Sequence, residues 1–139
     1  MLASWTKFRF QANGPAIAML SYTDQTLNSV WGTSATDVFA VGGIGTILHY
    51  DGVAWSQMVA PNATTLGGVG GASGDDVYAV GASGMILVYD GARWEQVRGT
   101  GAYLDLSRVY VNELDQVWIV GVGGAILVKE HPRSQAQRR

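Results

Sequence analysis

The side chains that come first in question for acid–base or metal chemistry are four aspartates and His49. Asp37, Asp75, Asp76 and Asp115 are carboxylates that can act as general acids or bases, or bind calcium. Asp37 and Asp76 lie 39 residues apart, each at the start of an apolar run, where side-chain bonds within a turn explain them. His49 stands alone in an apolar run, where packing is the commoner role. We therefore predict no catalytic residue, no metal site and no cofactor.

Aromatic side chains and one arginine supply the candidate ligand-binding residues. An indole can stack on the apolar face of a sugar, or it can pack into a core with its N–H satisfied locally. Trp5, Trp55 and Trp94 occupy corresponding places in successive repeats, which favours packing. A lectin would instead use Trp55 and Trp94, with Tyr50 and Tyr89, as pockets between repeats. The candidate ligand-binding residues are Trp31, Tyr110, Arg108, Tyr22, Trp55 and Trp94.

Three copies of one phrase organise the elements that position these residues. Residues 37–52 read DVFAVGGIGTILHYDG, residues 76–91 read DVYAVGASGMILVYDG, and residues 116–130 read QVWIVGVGGAILVKE. A fixed period near 40 residues is the signature of a repeat architecture. Each phrase joins two apolar runs through a glycine-rich turn, which predicts a β-hairpin.

The strands of these hairpins are apolar on both faces, because successive side chains point to opposite sides of a sheet. In an antiparallel sheet with one solvent-exposed face, apolar and polar residues alternate along each strand. These strands hardly alternate, so both of their faces must be covered. Stacked blades of a β-propeller cover both faces. We predict an all-β propeller of four-stranded blades, with strands a to d in order and no helix longer than a turn.

The phrase DVxAVGxxGxILxYDGxxW resembles a bacterial β-propeller repeat related to the BNR (Asp-box) and Ycf48-like repeats, over residues 28–130. The segments DGVAW and DGARW keep the Asp, Gly and Trp of the Asp-box, with one residue fewer before the Trp than in the usual DGGxTW. The resemblance implies the propeller fold. It also implies a range of functions, since such repeats occur in lectins, assembly factors, glycosidases and proteins of no known role.

Repeat boundaries divide the chain into unequal parts. We predict blade one at 28–59, blade two at 66–98 and blade three at 106–130, the last without a fourth strand. Residues 3–10 resemble an isolated fourth strand, residues 11–27 a long apolar loop, and residues 131–139 a frayed polar tail. Within the long loop, residues 15–26 are the leading contact element for a ligand.

Composition excludes several classes of protein. A net charge of −2 gives no reason to expect nucleic acid or an anionic membrane as partner. There is no cysteine, hence no disulfide framework, and no apolar run long enough for a membrane helix. The start, MLASWTKFRF, lacks the apolar core of a signal peptide. The sequence leaves the compartment open: secreted if the chain is a piece of a larger repeat protein, cytoplasmic otherwise.

Three blades are too few to close a propeller, since rings have four or more. We therefore predict a homo-oligomer: a two-fold dimer forming a six-bladed ring, or a rarer three-fold ring of nine blades. The open faces would be lined by residues such as Val38, Val41, Val117 and Ile119 or by their neighbours, and Ser4–Phe10 would complete blade three of another copy.

The predicted function is a non-catalytic binding or scaffolding module with a glycan or a protein as ligand. A carbohydrate-binding lectin is the first alternative, and a glycoside hydrolase the enzymatic one. A designed or excised propeller fragment, with assembly as its only property, is the remaining alternative.

Overall fold

The computed structural model describes residues 6–11 and 14–130, with side-chain environments given from Ala18 onward. Its regular elements are strands joined by short turns. The strands are β1 Thr6–Gln11, β2 Gly14–Leu20, β3 Leu27–Ser34, β4 Asp37–Gly42, β5 Ile47–Tyr50, β6 Trp55–Gln57, β7 Leu66–Ser73, β8 Asp76–Gly81, β9 Ile86–Tyr89, β10 Trp94–Gln96, β11 Leu106–Val111, β12 Val117–Gly121 and β13 Ile126–Lys129. The helical segments of the described ranges are three 3₁₀ turns of three residues each, so the all-β prediction is confirmed.

Three antiparallel sheets form the blades, each with its strands in chain order. Blade one is β3-β4-β5-β6, blade two is β7-β8-β9-β10, and blade three is β11-β12-β13. Residues 131–139, the predicted tail, lie outside the described residues. Within the described residues, no strand pairs with the outer edge of β13.

The turns between the second and third strands of each blade require backbone of the left-handed region. Ile44 and Gly45 have φ of 53° and 66°, and Ser83 and Gly84 have 57° and 76°. Glycine takes the second of these positions in every blade, since it adopts positive φ without the strain that a Cβ adds. At Gly84 a Cβ would lie 2.4 Å from the Ala102 carbonyl oxygen, so the loop before β11 packs directly against this turn.

Residues 14–20 correct one expectation from the sequence. This stretch, predicted to lie in a loop at 11–27, forms β2 and pairs with β1 in an antiparallel hairpin, with Thr6 opposite Leu20. The dipeptide Asn13-Gly14 is a turn signal in the sequence between two runs of strand-type residues. Residues 3–5 of the predicted isolated strand lie outside the described residues, whereas Thr6–Gln11 is a strand as expected.

The core lies between blades rather than within them. One cluster joins blade one to blade two through Phe39, Val41 and Ile47. A second joins blade two to blade three through Tyr78, Val80 and Ile86. Neighbouring blades thus pack through side chains on the faces of their strands. This packing buries apolar side chains on both faces of the middle blade. No helix in the described part of the chain is long and apolar enough to span a membrane.

Candidate functional site

Each blade has two distinct faces, which the repeat places at equivalent positions. The forward face packs on the following blade; in blade one it comprises Trp31, Phe39, Val41 and Ile47. The rear face packs on the preceding blade; in blade two it comprises Leu66, Val69, Val77, Ala79, Leu87 and Trp94. Blade three presents a rear face to blade two, and blade one a forward face to blade two. Among the residues that the structure describes, no blade therefore packs on the forward face of blade three or on the rear face of blade one.

The forward face of blade three is an exposed apolar surface. The repeat offset maps Phe39, Val41 and Ile47 onto Trp118, Val120 and Ile126. The first three are at most 1% exposed, whereas the second three are 39%, 42% and 67% exposed. Tyr110 and Val128 extend the same face, at 65% and 51%. Apolar side chains that are buried in two blades are thus open to solvent in the third, and this face is the candidate for an interaction surface.

The rear face of blade one is the second open surface, and it is partly covered. It borders a cavity of about 350 Å³ lined by Met19, Ser21, Leu27, Asn28, Ser29, Val30, Ala40, Leu48 and Trp55. Met19 and Ser21 come from the end of β2 and the residue after it. Leu48 and Ala40 are buried there, while Val30 is 65% exposed. The hairpin therefore shields part of this face and leaves a groove beside it.

Three of the four residues named for the open faces lie on packed faces, and their neighbours, which the prediction also allowed, are the exposed ones. Val41, Val117 and Ile119 are buried between blades of the same chain, at 0%, 4% and 4% exposed. Adjacent residues of a strand point to opposite faces, so an error of one position exchanges an open face for a packed one. The exposed residues are their neighbours, such as Trp118 and Val120. Comparison with Phe39 and Val41 across the repeat is the signal that finds them.

A third candidate surface lies among the loops of blade one. A shallow cavity of about 570 Å³ is lined by Tyr22, Thr23, Asp24, Gln25, Ile44, Thr46 and Gln57. Tyr22 is 68% and Ile44 63% exposed, and both have positive φ. Tyr22 belongs to the segment predicted as the leading contact element. This surface offers an aromatic ring, an aliphatic side chain and hydrogen-bonding groups to a ligand.

Of the two tryptophans proposed for sugar stacking, Trp94 is enclosed by protein. It is 5% exposed, and its ring centroid lies 5.2 Å from that of Tyr89 and 6.2 Å from that of Phe39. Its Nε1–H donates a hydrogen bond to the sulfur of Met58 at 3.4 Å. Trp55 is half-buried and packs 5.3 Å from Tyr50 at the cavity on the rear face of blade one. The equivalent tryptophans therefore differ only in whether a preceding blade covers them.

The remaining candidates lie on the first strands of their blades. Trp31 is half-buried against the core, with its ring 6.2 Å from Phe39. Tyr110, its equivalent in blade three, is exposed and stands opposite Trp118 in the strand pairing. Arg108 is exposed, and its guanidinium donates to the Ser107 carbonyl at 2.8 Å. Tyr110 therefore contributes to the forward face of blade three.

Asp37 and His49 form a contact that the sequence analysis did not predict. His49 Nε2 lies 2.7 Å from Asp37 Oδ1, and the Thr33 hydroxyl donates to Asp37 Oδ2. The hydrogen bond from Thr33, followed by that with His49, lowers the pKa of the Asp37 carboxyl from its ordinary value of 3.8. Phe39 is paired with His49 in the sheet, so the imidazole lies diagonally across from Asp37 on the same face. The strand register is therefore the information that would have predicted this contact. Asp37 thus braces the strands of blade one through side-chain partners.

Asp51 and Asp90 shape the turns before the fourth strands. Asp51 Oδ1 accepts from the backbone N–H of Val53 and Ala54, at 2.8 and 2.9 Å. Asp90 repeats these bonds in blade two. The backbone donors lower the pKa of both carboxyls. No group of three or more His, Asp or Glu side chains that could hold a metal ion occurs in the ranges the structure describes.

Comparison with known proteins identifies the class of fold. No family model matches the chain, and no curated protein gives a significant match. Solved structures do match. One described as YCF48 bound to D1 peptide superimposes with a TM-score of 0.65 at 17% sequence identity, covering 77% of this chain and 38% of that chain. The likeness shows that this chain has the β-propeller fold, as its repeats predict, and that it spans 38% of the length of that neighbour.

Proposed function

We propose that this chain is a non-catalytic binding or scaffolding module that works as a closed propeller ring made with a second copy of itself. The observation that carries the proposal is the forward face of blade three. Trp118, Val120 and Ile126 are exposed there, although their equivalents in blades one and two are sealed by the following blade. Burial of such a surface is favoured by the hydrophobic effect, at about 25 cal/mol per Å² of apolar area.

A second copy is the occupant that this chain itself supplies. Forward faces already pack on rear faces twice within one chain, at the two core clusters. The open rear face of blade one carries Leu27, Val30 and Trp55, at the positions of Leu66, Val69 and Trp94 in blade two. Two copies related by a two-fold axis make this contact twice and give six blades; three copies would give nine.

The loop surface around Tyr22 and Ile44 is the site we assign to an external ligand, and a protein segment is its proposed chemistry. Exposed aromatic and aliphatic side chains beside amide and carboxylate groups suit a peptide with mixed side chains. The YCF48 neighbour was solved with a bound peptide, which supports a protein partner for this fold. A two-fold ring would present this surface twice.

Solution mass tests the ring directly. The wild-type chain should have twice the mass of one chain by light scattering, and Val120→Glu should return it to a single chain because a carboxylate cannot be buried unpaired between blades. Val53→Glu is the matched control, since Val53 is 87% exposed in the turn before β6. A wild-type chain that stays monomeric at all concentrations would refute the ring. Equal dimerisation of both variants would place the contact elsewhere.

A lectin is the second candidate, and one observation favours it: Trp55 borders an open cavity of about 350 Å³. Because this cavity lies on the rear face of blade one, sugar binding and ring closure would compete for it. Sugar binding on a glycan array that is lost in Trp55→Ala but kept in Tyr22→Ala would support the lectin. An arylglycoside assay covers the hydrolase alternative, and we expect no turnover.

A further inference from the structure

An apolar cavity lies between blades two and three, next to the open edge of β13. Its volume is about 280 Å³, and its lining residues are Tyr78, Ile86, Val97, Thr100, Val117, Ile119, Leu127, Val128 and Lys129. Tyr78, Ile86 and Val117 are buried, so the cavity reaches the core between the two blades. It carries little polar surface apart from the Lys129 end, where the ammonium lies 3.2 Å from the Tyr78 hydroxyl.

The corresponding place between blades one and two is filled by Trp94. Its indole packs against Phe39 and Tyr89 and bonds to Met58. The repeat offset maps Phe39 onto Tyr78, Met58 onto Val97 and Tyr89 onto Lys129, which all line the cavity. The cavity is therefore the position of an indole carried by a fourth strand, and the described part of blade three has no such strand.

We propose that the segment from Trp5 to Phe8 of a second copy binds in this place, with Trp5 in the cavity and the strand added to the edge of β13. The inference rests on the proposed ring and names the element that closes it. Residues 5–8 read WTKF, against WSQM at 55–58 and WEQV at 94–97. All three are a tryptophan, two residues without large apolar side chains and then an apolar residue.

The fourth strands of blades one and two fix the register of this addition. Tyr89 pairs with Trp94 and Val88 with Glu95, and the Val97 N–H donates to the Ile86 carbonyl. The equivalent register pairs Lys129 with Trp5 and Val128 with Thr6, and directs the Phe8 N–H to the Ile126 carbonyl. Main-chain hydrogen bonds of this kind, with one side-chain anchor, are the usual basis of strand addition.

The geometry favours addition between copies over closure within one chain. β1 pairs with β2, and the end of β2 leads to Met19 and Ser21 on the rear face of blade one. The cavity lies beyond blade two, at the opposite end of the blade stack. A second copy whose blade one covers the forward face of blade three brings its own β1 to that cavity.

Disulfide trapping tests the register, because the chain has no cysteine of its own. Directly opposite residues of antiparallel strands have Cα atoms about 4.5–5.5 Å apart, a distance that a disulfide spans. Thr6→Cys with Val128→Cys should form a covalent dimer under mild oxidation. The matched control, Thr6→Cys with Leu127→Cys, should not, since residue 127 points to the other face of β13. The same cysteine pair in a chain that ends at residue 130 should cross-link as well as in the full chain, because the added strand is residues 5–8 and not the tail.

Each outcome separates the strand addition from the ring. A covalent dimer in the first pair alone supports the proposal, and Trp5→Ala should then weaken dimerisation at least tenfold while Lys7→Ala leaves it unchanged. A wild-type dimer without cross-linking keeps the ring and overturns the strand addition. A cross-link within one chain overturns the second copy as donor. A monomeric wild-type chain refutes both the ring and the addition.

Discussion

Three equivalent isoleucines give the sharpest test of which surfaces are packed. Ile47, Ile86 and Ile126 occupy one position of the repeat, at 0%, 5% and 67% exposed. Replacement of a buried isoleucine by alanine lowers the free energy of unfolding by about 2–5 kcal/mol, through lost burial and the cavity left behind. Ile47→Ala and Ile86→Ala should each show a loss in this range, measured by urea denaturation.

Ile126→Ala should behave differently, because most of its burial would come from a second copy. Complete burial of an isoleucine is worth about 1.5–3 kcal/mol, so two thirds of it amounts to about 1–2 kcal/mol per contact. A two-fold ring contains two such contacts, which makes about 2–4 kcal/mol, or a dimer roughly 30- to 1,000-fold weaker. At concentrations where the chain is monomeric, the same variant should unfold almost like the wild type.

Sedimentation equilibrium measures the dimer constant of wild type and Ile126→Ala, with Val59→Ala as control. Val59 is 88% exposed and belongs to neither face. An unchanged dimer constant in Ile126→Ala would show that the forward face of blade three is outside the contact. A large loss of monomer stability in Ile126→Ala would refute the assignment of this side chain to solvent.

Two further predictions concern the blades themselves. Because the pKa of Asp37 is lowered in the folded state, its ionisation stabilises the fold above the unfolded-state pKa near 3.8, and this stabilisation is lost as the pH falls through the lower folded-state pKa. Below pH 4 the melting temperature should therefore fall more steeply with pH for the wild type than for Asp37→Asn, with Asp24→Asn as the control. Equal slopes for the wild type and Asp37→Asn would contradict this. Gly84 and Gly124 share φ of 76°, but only Gly84 meets a carbonyl oxygen within 2.4 Å, so Gly84→Ala should lose about 1–3 kcal/mol more than Gly124→Ala in the monomer. Equal losses would show that the backbone angle alone sets the cost.

The blades could be predicted from the sequence because their signals are local and repeated. Apolar runs such as VFAV and TILHY, with glycines between them, specify a hairpin, and three copies at a fixed offset specify stacked blades. The dipeptides Asp51-Gly52 and Asp90-Gly91 are turn signals in the sequence, and Gly52 and Gly91 have φ of 97° and 95°. Each of these features depends on a few neighbouring residues, so no knowledge of the tertiary structure is needed to find it.

The open faces could not be predicted by hydrophobicity alone. Strands that are apolar on both sides give no contrast between a face that packs on a neighbour and a face that does not, as Val117 and Trp118 illustrate. The difference lies in which blade follows in space, and that depends on contacts about 40 residues away along the chain. The hairpin at 6–20 had a turn signal in the sequence at Asn13-Gly14. The contact between Asp37 and His49 depends instead on strand register, which turn length fixes and composition does not.

The energetics of repeats give a reason for the ring that is independent of any one side chain. The stability of a stacked array is close to a sum of terms for each unit and for each contact between neighbours. The described part of one chain has three blades and two such contacts, so two separate chains have four contacts and a six-bladed ring has six. Closure adds these contacts with surfaces the chain already carries and needs no new sequence. The unfolding midpoint should therefore rise with protein concentration, as linkage between folding and association requires. A midpoint independent of concentration, in a chain shown to be dimeric when folded, would mean that the contacts between copies do not contribute to folding.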